Sequence, residues 1–96
     1  MAAYLVADIA GIDDTASYDE YRKHTPGAIA QFGGKFIVRG GKTESKEGDW
    51  NPHRFVVIEF PDMAAARRFY HSPEYQKILP LRLKASQGKV LLVEGV

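Results

Sequence analysis

Gly33-Gly34-Lys35-Phe36-Ile37-Val38-Arg39-Gly40-Gly41, followed after a polar loop by Arg54-Phe55-Val56-Val57-Ile58-Glu59-Phe60, is the part of the chain that decides the fold. Both runs are rich in β-branched and aromatic residues and are bounded by turn formers, so they read as consecutive strands. Working outward, residues 3–9 alternate with period two and read as an earlier strand, and residues 89–94 read as a later one. Helical signals fill the two remaining gaps. The order β-α-β-β-α-β predicts an α+β fold: one four-stranded antiparallel sheet with two helices on a single face.

Ser17-Tyr18-Asp19-Glu20 has the form of a capping box, and Tyr18, Tyr21, Ala28 and Phe32 supply the buried stripe of the helix behind it. Pro26 would cost roughly 3 kcal/mol in a regular helix interior, so a kink or break is expected near Thr25. Gly33-Gly34 ends the helix. Asp62 is placed to cap an Ala-rich helix through Phe69 and Tyr70, and Ser72-Pro73-Glu74 repeats the start signal. The second helical region is therefore expected in two pieces, with a further interruption at Pro80. The loop over residues 42–52 carries Trp50, the only tryptophan.

The composition bounds the function. Ninety-six residues make one domain, spanning residues 1–96, with room for a core. Thirteen basic against 12 acidic residues give a net charge of +1 with no basic stripe, which argues against nucleic acid or an anionic membrane as partner. The absence of cysteine removes disulfides and thiolate chemistry, and a reducing cytoplasm is the expected location. Met1-Ala2-Ala3-Tyr4-Leu5-Val6-Ala7 lacks a basic flank and meets Asp8, so it is expected as a strand, not a secretory signal.

Period-two reading assigns the strand faces. Leu5, Ala7, Ile9, Phe36, Val38, Val56, Ile58, Phe60, Leu91 and Val93 are expected under the helices. Tyr4, Val6, Asp8, Lys35, Ile37, Arg39, His53, Phe55, Val57, Glu59, Val90, Leu92 and Glu94 are expected on the open face. With the first and third strands taken as central and parallel, Asp8, Glu59 and Lys35 fall at one end of that face. Tyr4, Arg39, His53 and Glu94 fall at the other. The apolar middle covers roughly 300 Å², enough for a dimer contact or a ligand.

The segments Gly33 to Gly41, Glu47-Gly48-Asp49-Trp50, Val57-Ile58-Glu59-Phe60-Pro61 and Phe69-Tyr70-His71-Ser72-Pro73-Glu74-Tyr75 resemble the domain of unknown function 1330 family, within the dimeric α/β-barrel superfamily. The resemblance runs over essentially the whole chain. It implies a ferredoxin-like fold whose open sheet faces pair in a homodimer to close a barrel, and it implies no particular reaction. Elsewhere in the superfamily stand cofactor-independent monooxygenases, haem-degrading enzymes, muconolactone isomerase and small-molecule-binding regulators. None of their catalytic motifs can be placed on these residues.

Arg39 and His53, near Tyr4, are suited to a carboxylate or phosphate on a small ligand, or equally to an ionic contact closing the dimer, such as Arg39 with Glu94. Glu59 and Asp8 read either as a carboxylate pair for proton transfer or as charges neutralised by Lys35. Trp50 reads as a lid over a cavity or as cover for a sheet edge or a second subunit. His24, His53 and His71 lie on separate elements without metal-binding spacing, so no metal site is expected, and no cofactor. Tyr4, Arg39, Trp50, His53 and Glu59 are thus the candidate ligand-binding residues, and no catalytic residue is assigned. Two classes stand: a small dimeric enzyme acting on an organic, anionic molecule in the barrel, or a non-catalytic dimer that binds a metabolite or assembles.

Overall fold

The computed structural model describes residues 1–96. Its elements are β1 (Ala3–Ala10), α1 (Thr15–Gln31), β2 (Lys35–Arg39), β3 (Arg54–Phe60), α2 (Met63–His71), α3 (Pro73–Ala85) and β4 (Gln87–Glu94). The sheet has the order β2-β3-β1-β4. Every neighbouring pair is antiparallel, which makes this the ferredoxin-like βαββαβ arrangement. The central strands β1 and β3 therefore oppose each other, contrary to the parallel pairing expected for them. The crossover through α1 leaves β1 and β2 pointing the same way, and the β2–β3 hairpin then reverses the chain.

Capping residues set the helix starts. Asp14, not Ser17, caps α1: its carboxylate accepts from the Ser17 amide at 3.1 Å and from the Ser17 hydroxyl at 2.8 Å. The chain is fixed there because the amide of Asp13 donates to the Ala85 carbonyl at 3.0 Å, which starts the helix a turn before the expected box. Asp62 and Ser72 cap α2 and α3 as expected, accepting from the Ala65 and Tyr75 amides. Both internal prolines are accommodated without a break. α1 runs through Pro26 and α3 through Pro80, since packing on the sheet outweighs one lost hydrogen bond per helix.

β1 buries every second residue, Ala3, Leu5, Ala7 and Ile9, under the helices, and Val56, Ile58 and Phe60 of β3 join them. Phe60, Phe69 and Ile29 are the largest fully buried side chains. The Phe69 ring stacks between Phe60 and Tyr75, with centroids 5.3 and 4.5 Å away. The shortest extent of the molecule is 16 Å, the thickness of one sheet and one helical layer, so the second sheet face is bare.

Two strands differ from the expected facing. In β4, Leu92 pairs with Leu5 and Val90 with Ala7. These two lie under the helices, and Leu91 and Val93 stand on the bare face, at 56% and 44% exposure. Both sets are apolar, so alternation alone could not choose between them. Gly88 chooses: it faces Ile9, and a Cβ there would lie 2.9 Å from Ile9 Cδ1 and 3.2 Å from the Asp8 carbonyl. In β2, Phe36 pairs with Ile58 but Val38 pairs with Val57, so Ile37 is an inserted bulge residue. Beyond the bulge the alternation reverses. Val38 joins the bare face, and Arg39 stands beside Val56 on the helix side.

Gly34 closes the turn from α1 into β2, its amide donating to the Ile29 carbonyl at 3.0 Å. A Cβ at Gly34 would meet Phe60 at 2.6 Å and Ile29 at 2.7 Å, side chains with no room to move. Gly34→Ala is expected to lower stability by roughly 1–3 kcal/mol in urea unfolding. Gly41→Ala, with nothing within 4 Å of the new methyl, should change it by no more than about 0.5 kcal/mol.

Candidate functional site

α1 and α3 do not close flush on the sheet. Tyr18, Tyr21, Arg22 and Thr25 follow the i, i+3, i+4, i+7 spacing of one helix face, and all four look down into a cavity. Across from them α3 contributes Tyr75 and Arg82, again seven residues apart. The floor is the helix-facing side of the sheet: Leu5, Ala7, Ile9, Val56 and Ile58, with Phe36, Arg39 and Arg54 towards the β2 edge. The cavity holds about 50 Å³, room for some three to five water-sized spheres at ~10–15 Å³ each.

Its charge is one-sided. Arg22, Arg39, Arg54 and Arg82 all line it, and no Asp, Glu or His does. None of these arginines has a carboxylate within 4.0 Å; the ion pairs of the chain are made by lysines and His24. Arg82 is the most demanding of them, being only 5% exposed. Burying a cation without a counter-charge is expensive. Its polar neighbours are the hydroxyls of Tyr75 and Tyr21. Burial works against the charged guanidinium; the two tyrosines raise Arg82 above its ordinary range, but chiefly through the charge that a phenol carries only once ionised, so the neutral hydroxyls offer it hydrogen bonds and no counter-charge.

The Tyr21 and Tyr75 hydroxyls lie 2.8 Å apart. Burial, then the neighbouring Tyr75 and the bond to it, push Tyr21 far above the usual phenol range. It therefore stays protonated at any physiological pH. Two hydroxyls carry two protons, and their mutual bond uses one, which leaves one donor free to turn towards a ligand beside Arg82. The Thr25 hydroxyl is committed to the Tyr21 carbonyl one turn back. The arrangement can thus bind an anion through charge and a hydroxyl donor. It offers no carboxylate or imidazole to take a proton.

The residues singled out from the sequence are divided between two faces. Arg39 lines the cavity. Tyr4 and Glu59 lie directly opposite each other on the bare face, where Lys35 reaches Glu59 at 3.4 Å. His53 precedes β3 at the other end, its backbone amide donating to the Asp8 carboxylate at 3.0 Å. Trp50, 60% exposed, stands edge-on to Phe55 with centroids 5.9 Å apart. Arg39 and His53 are therefore not neighbours on one face. Asp8, paired with Phe55, and Glu59, paired with Tyr4, sit at opposite ends of β1 and cannot share a proton. Glu94 pairs with Ala3 on the helix side, far along the sheet from the row of Arg39 and Val56. Arg82, Arg54 and Arg22 were not foreseen. A signal did exist for Arg82, which continues the buried Tyr75–Leu79 stripe of α3. Arg39 was named from the sequence, but nothing in the residues announces the bulge that turns it to the helix side.

Comparison with known proteins places the chain in a family. The family model DUF1330, a domain of unknown function, matches residues 2–96, and the chain belongs to that family. No protein of curated function matches it. Among solved structures, a Rhodopseudomonas palustris protein of unknown function superposes with TM-score 0.69 at 16% identity, over 99% of this chain and 82% of that one. A dimeric ferredoxin-like protein of unknown function from a Jannaschia species gives 0.69 at 14% identity, over 99% and 100%. SnoaB, a cofactor-independent oxygenase from Streptomyces nogalater, gives 0.68 at 17% identity, over 98% and 92%. At these identities the likeness is one of fold.

An unanswered buried charge is a stability cost carried for function, and this separates a binding arginine from a structural one. Arg82→Met, which keeps the stem and removes the charge, is expected to raise the unfolding free energy of the ligand-free protein in urea by roughly 0.5–2 kcal/mol. A structural role for the guanidinium would lower it instead.

Proposed function

We propose that this DUF1330 protein is a homodimer that holds a small organic anion between the sheet and the helices of each subunit. The observation that carries the reading is Arg82: a buried guanidinium with no carboxylate in reach, facing a cavity beside a hydroxyl pair. A ligand carboxylate there would supply the missing charge and accept from the free tyrosine proton. The lining is otherwise apolar, which suits a ligand with a short hydrocarbon body. The chemistry at this site is recognition, because no side chain in it takes a proton.

The bare sheet face is the proposed dimer contact. Ile37, Leu91 and Val93 are exposed on it beside Val38 and Val57, an apolar stripe of the kind that associates in water. The Jannaschia protein of the same fold is dimeric, and pairing two such faces would close a barrel. In this reading Tyr4, His53, Glu59 and Trp50 border the contact between subunits, whereas Arg39 serves the cavity. The two halves of the proposal use opposite faces of one sheet, so they are tested separately.

Light scattering should give a dimer for the wild type and a monomer for Leu91→Asp, which sets a carboxylate into the stripe; a wild-type monomer would remove the barrel. In thermal unfolding, a carboxylate at a hundred times its dissociation constant should stabilise the wild type by about 2.7 kcal/mol. That stabilisation should vanish in Arg82→Met while the dimer persists. Retention of the full effect in Arg82→Met would place the anion elsewhere.

A further inference from the structure

The cavity has cations at two separated places, and their spacing bears on the ligand that it takes. The strand register gives the spacing of the backbone beneath them. Ile9 of β1 has Arg54 on one side and Gly88 on the other, so Arg54 and Gly88 stand two strands apart, roughly 10 Å. The Arg82 guanidinium lies over Gly88, with Nη1 3.6 Å from the position a Cβ would take. Arg39 stands one row further along, on the edge strand beside Val56. Between the Arg82 end and the Arg39–Arg54 end the floor is Ile9, Ala7 and Val56, with no polar side chain.

The outer arginines are held in place. The Arg39 guanidinium lies over the Phe36 ring, 4.4 Å from its centroid, a contact that costs it little freedom to keep. Arg54 passes over Gly40, where a Cβ would stand 2.6 Å from its Nη1. Gly40 has φ +70°, so its bare backbone suits both the turn and the passing side chain. Neither arginine has an acidic partner within 4.0 Å. One anionic group on Arg82 would leave these two cations, Arg54 half-buried and Arg39 exposed at the mouth, without an anionic partner.

We infer that the site is built for a small dianion, one acidic group held in the cavity by Arg82 and the tyrosine pair and the second at its open mouth beside Arg39 and Arg54, with a short apolar spacer over Ala7 and Ile9. The inference rests on the anion-binding reading above and narrows it to a substrate class, the short dicarboxylates and their isosteres. Occupancy at both ends neutralises the deep and the outer cations together, and the spacing of the ends sets the length that fits.

Calorimetric titration of the wild-type protein at fixed ionic strength tests this with two homologous series, propanoate to octanoate and malonate to suberate. The expected result is that the best dicarboxylate binds about tenfold or more tightly than the monocarboxylate of equal length, with an optimum within the series. Arg39→Gln combined with Arg54→Gln should bring the two series to equal affinity, while Arg82→Met abolishes binding of both. Equal affinity for the two series, or a preference that survives loss of both outer arginines, would overturn the dianion and leave the anion site standing. Failure of every acid to bind would overturn both.

Discussion

The backbone ladder on either side of β1 is the constraint from which the rest follows. It pairs Ile9 with Arg54 and Gly88, Ala7 with Val56 and Val90, and Leu5 with Ile58 and Leu92. Each of these rows faces the helices because side chains alternate strictly, and the rows between them face outward for the same reason. One register thus settles three things together: which apolar residues form the core, which apolar residues remain bare, and where the arginines stand relative to the floor of the cavity. A slip of one residue in β4 would bury Leu91 and Val93 and drive Lys89 into the space that Gly88 leaves for Ile9 and Arg82.

On this floor the energetic logic is that of a site rather than of a core. At the α2 end, Phe60, Phe69 and Tyr75 pack ring on ring. Towards the α1–α3 end the packing opens, and the chain spends stability on a cation, two hydroxyls and empty space. Departures of this kind from the rules of a good core concentrate where proteins bind. The local asymmetry, dense aromatic packing beside an unfilled cationic hollow, is what the proposed ligand would complete.

Much of the fold was legible because its signals are local. The alternation of β1 and β3, the capping residues Asp62 and Ser72, and the glycines after α1 each act over a few residues. What was not legible depends on partners distant in sequence. Whether Leu91 or Leu92 faces inward turns on pairing with β1, since both are equally apolar. The Ile37 bulge reverses Arg39 without any residue type that announces it. Pro26 and Pro80 are disfavoured in helices by local cost, and tertiary packing overrides it. The candidate site shared this fate. Arg39 was recognised as an anion-seeking residue from its position on a strand, but the faces assigned to it and to its supposed companions followed an unbroken alternation. Arg82, Tyr21 and Tyr75 were masked because they occupy helix-stripe positions that ordinarily mean packing.

The central claim is the location of the anion, on the helix side of the sheet and not on its bare face. A crystal structure of the protein grown with glutarate tests it most directly. The expected result is a carboxylate between the Arg82 guanidinium and the Tyr21–Tyr75 hydroxyls, with the bare faces of two subunits packed together. Glutarate bound instead on the bare face beside Tyr4 and Glu59, with the helix–sheet cavity filled only by water, would contradict it.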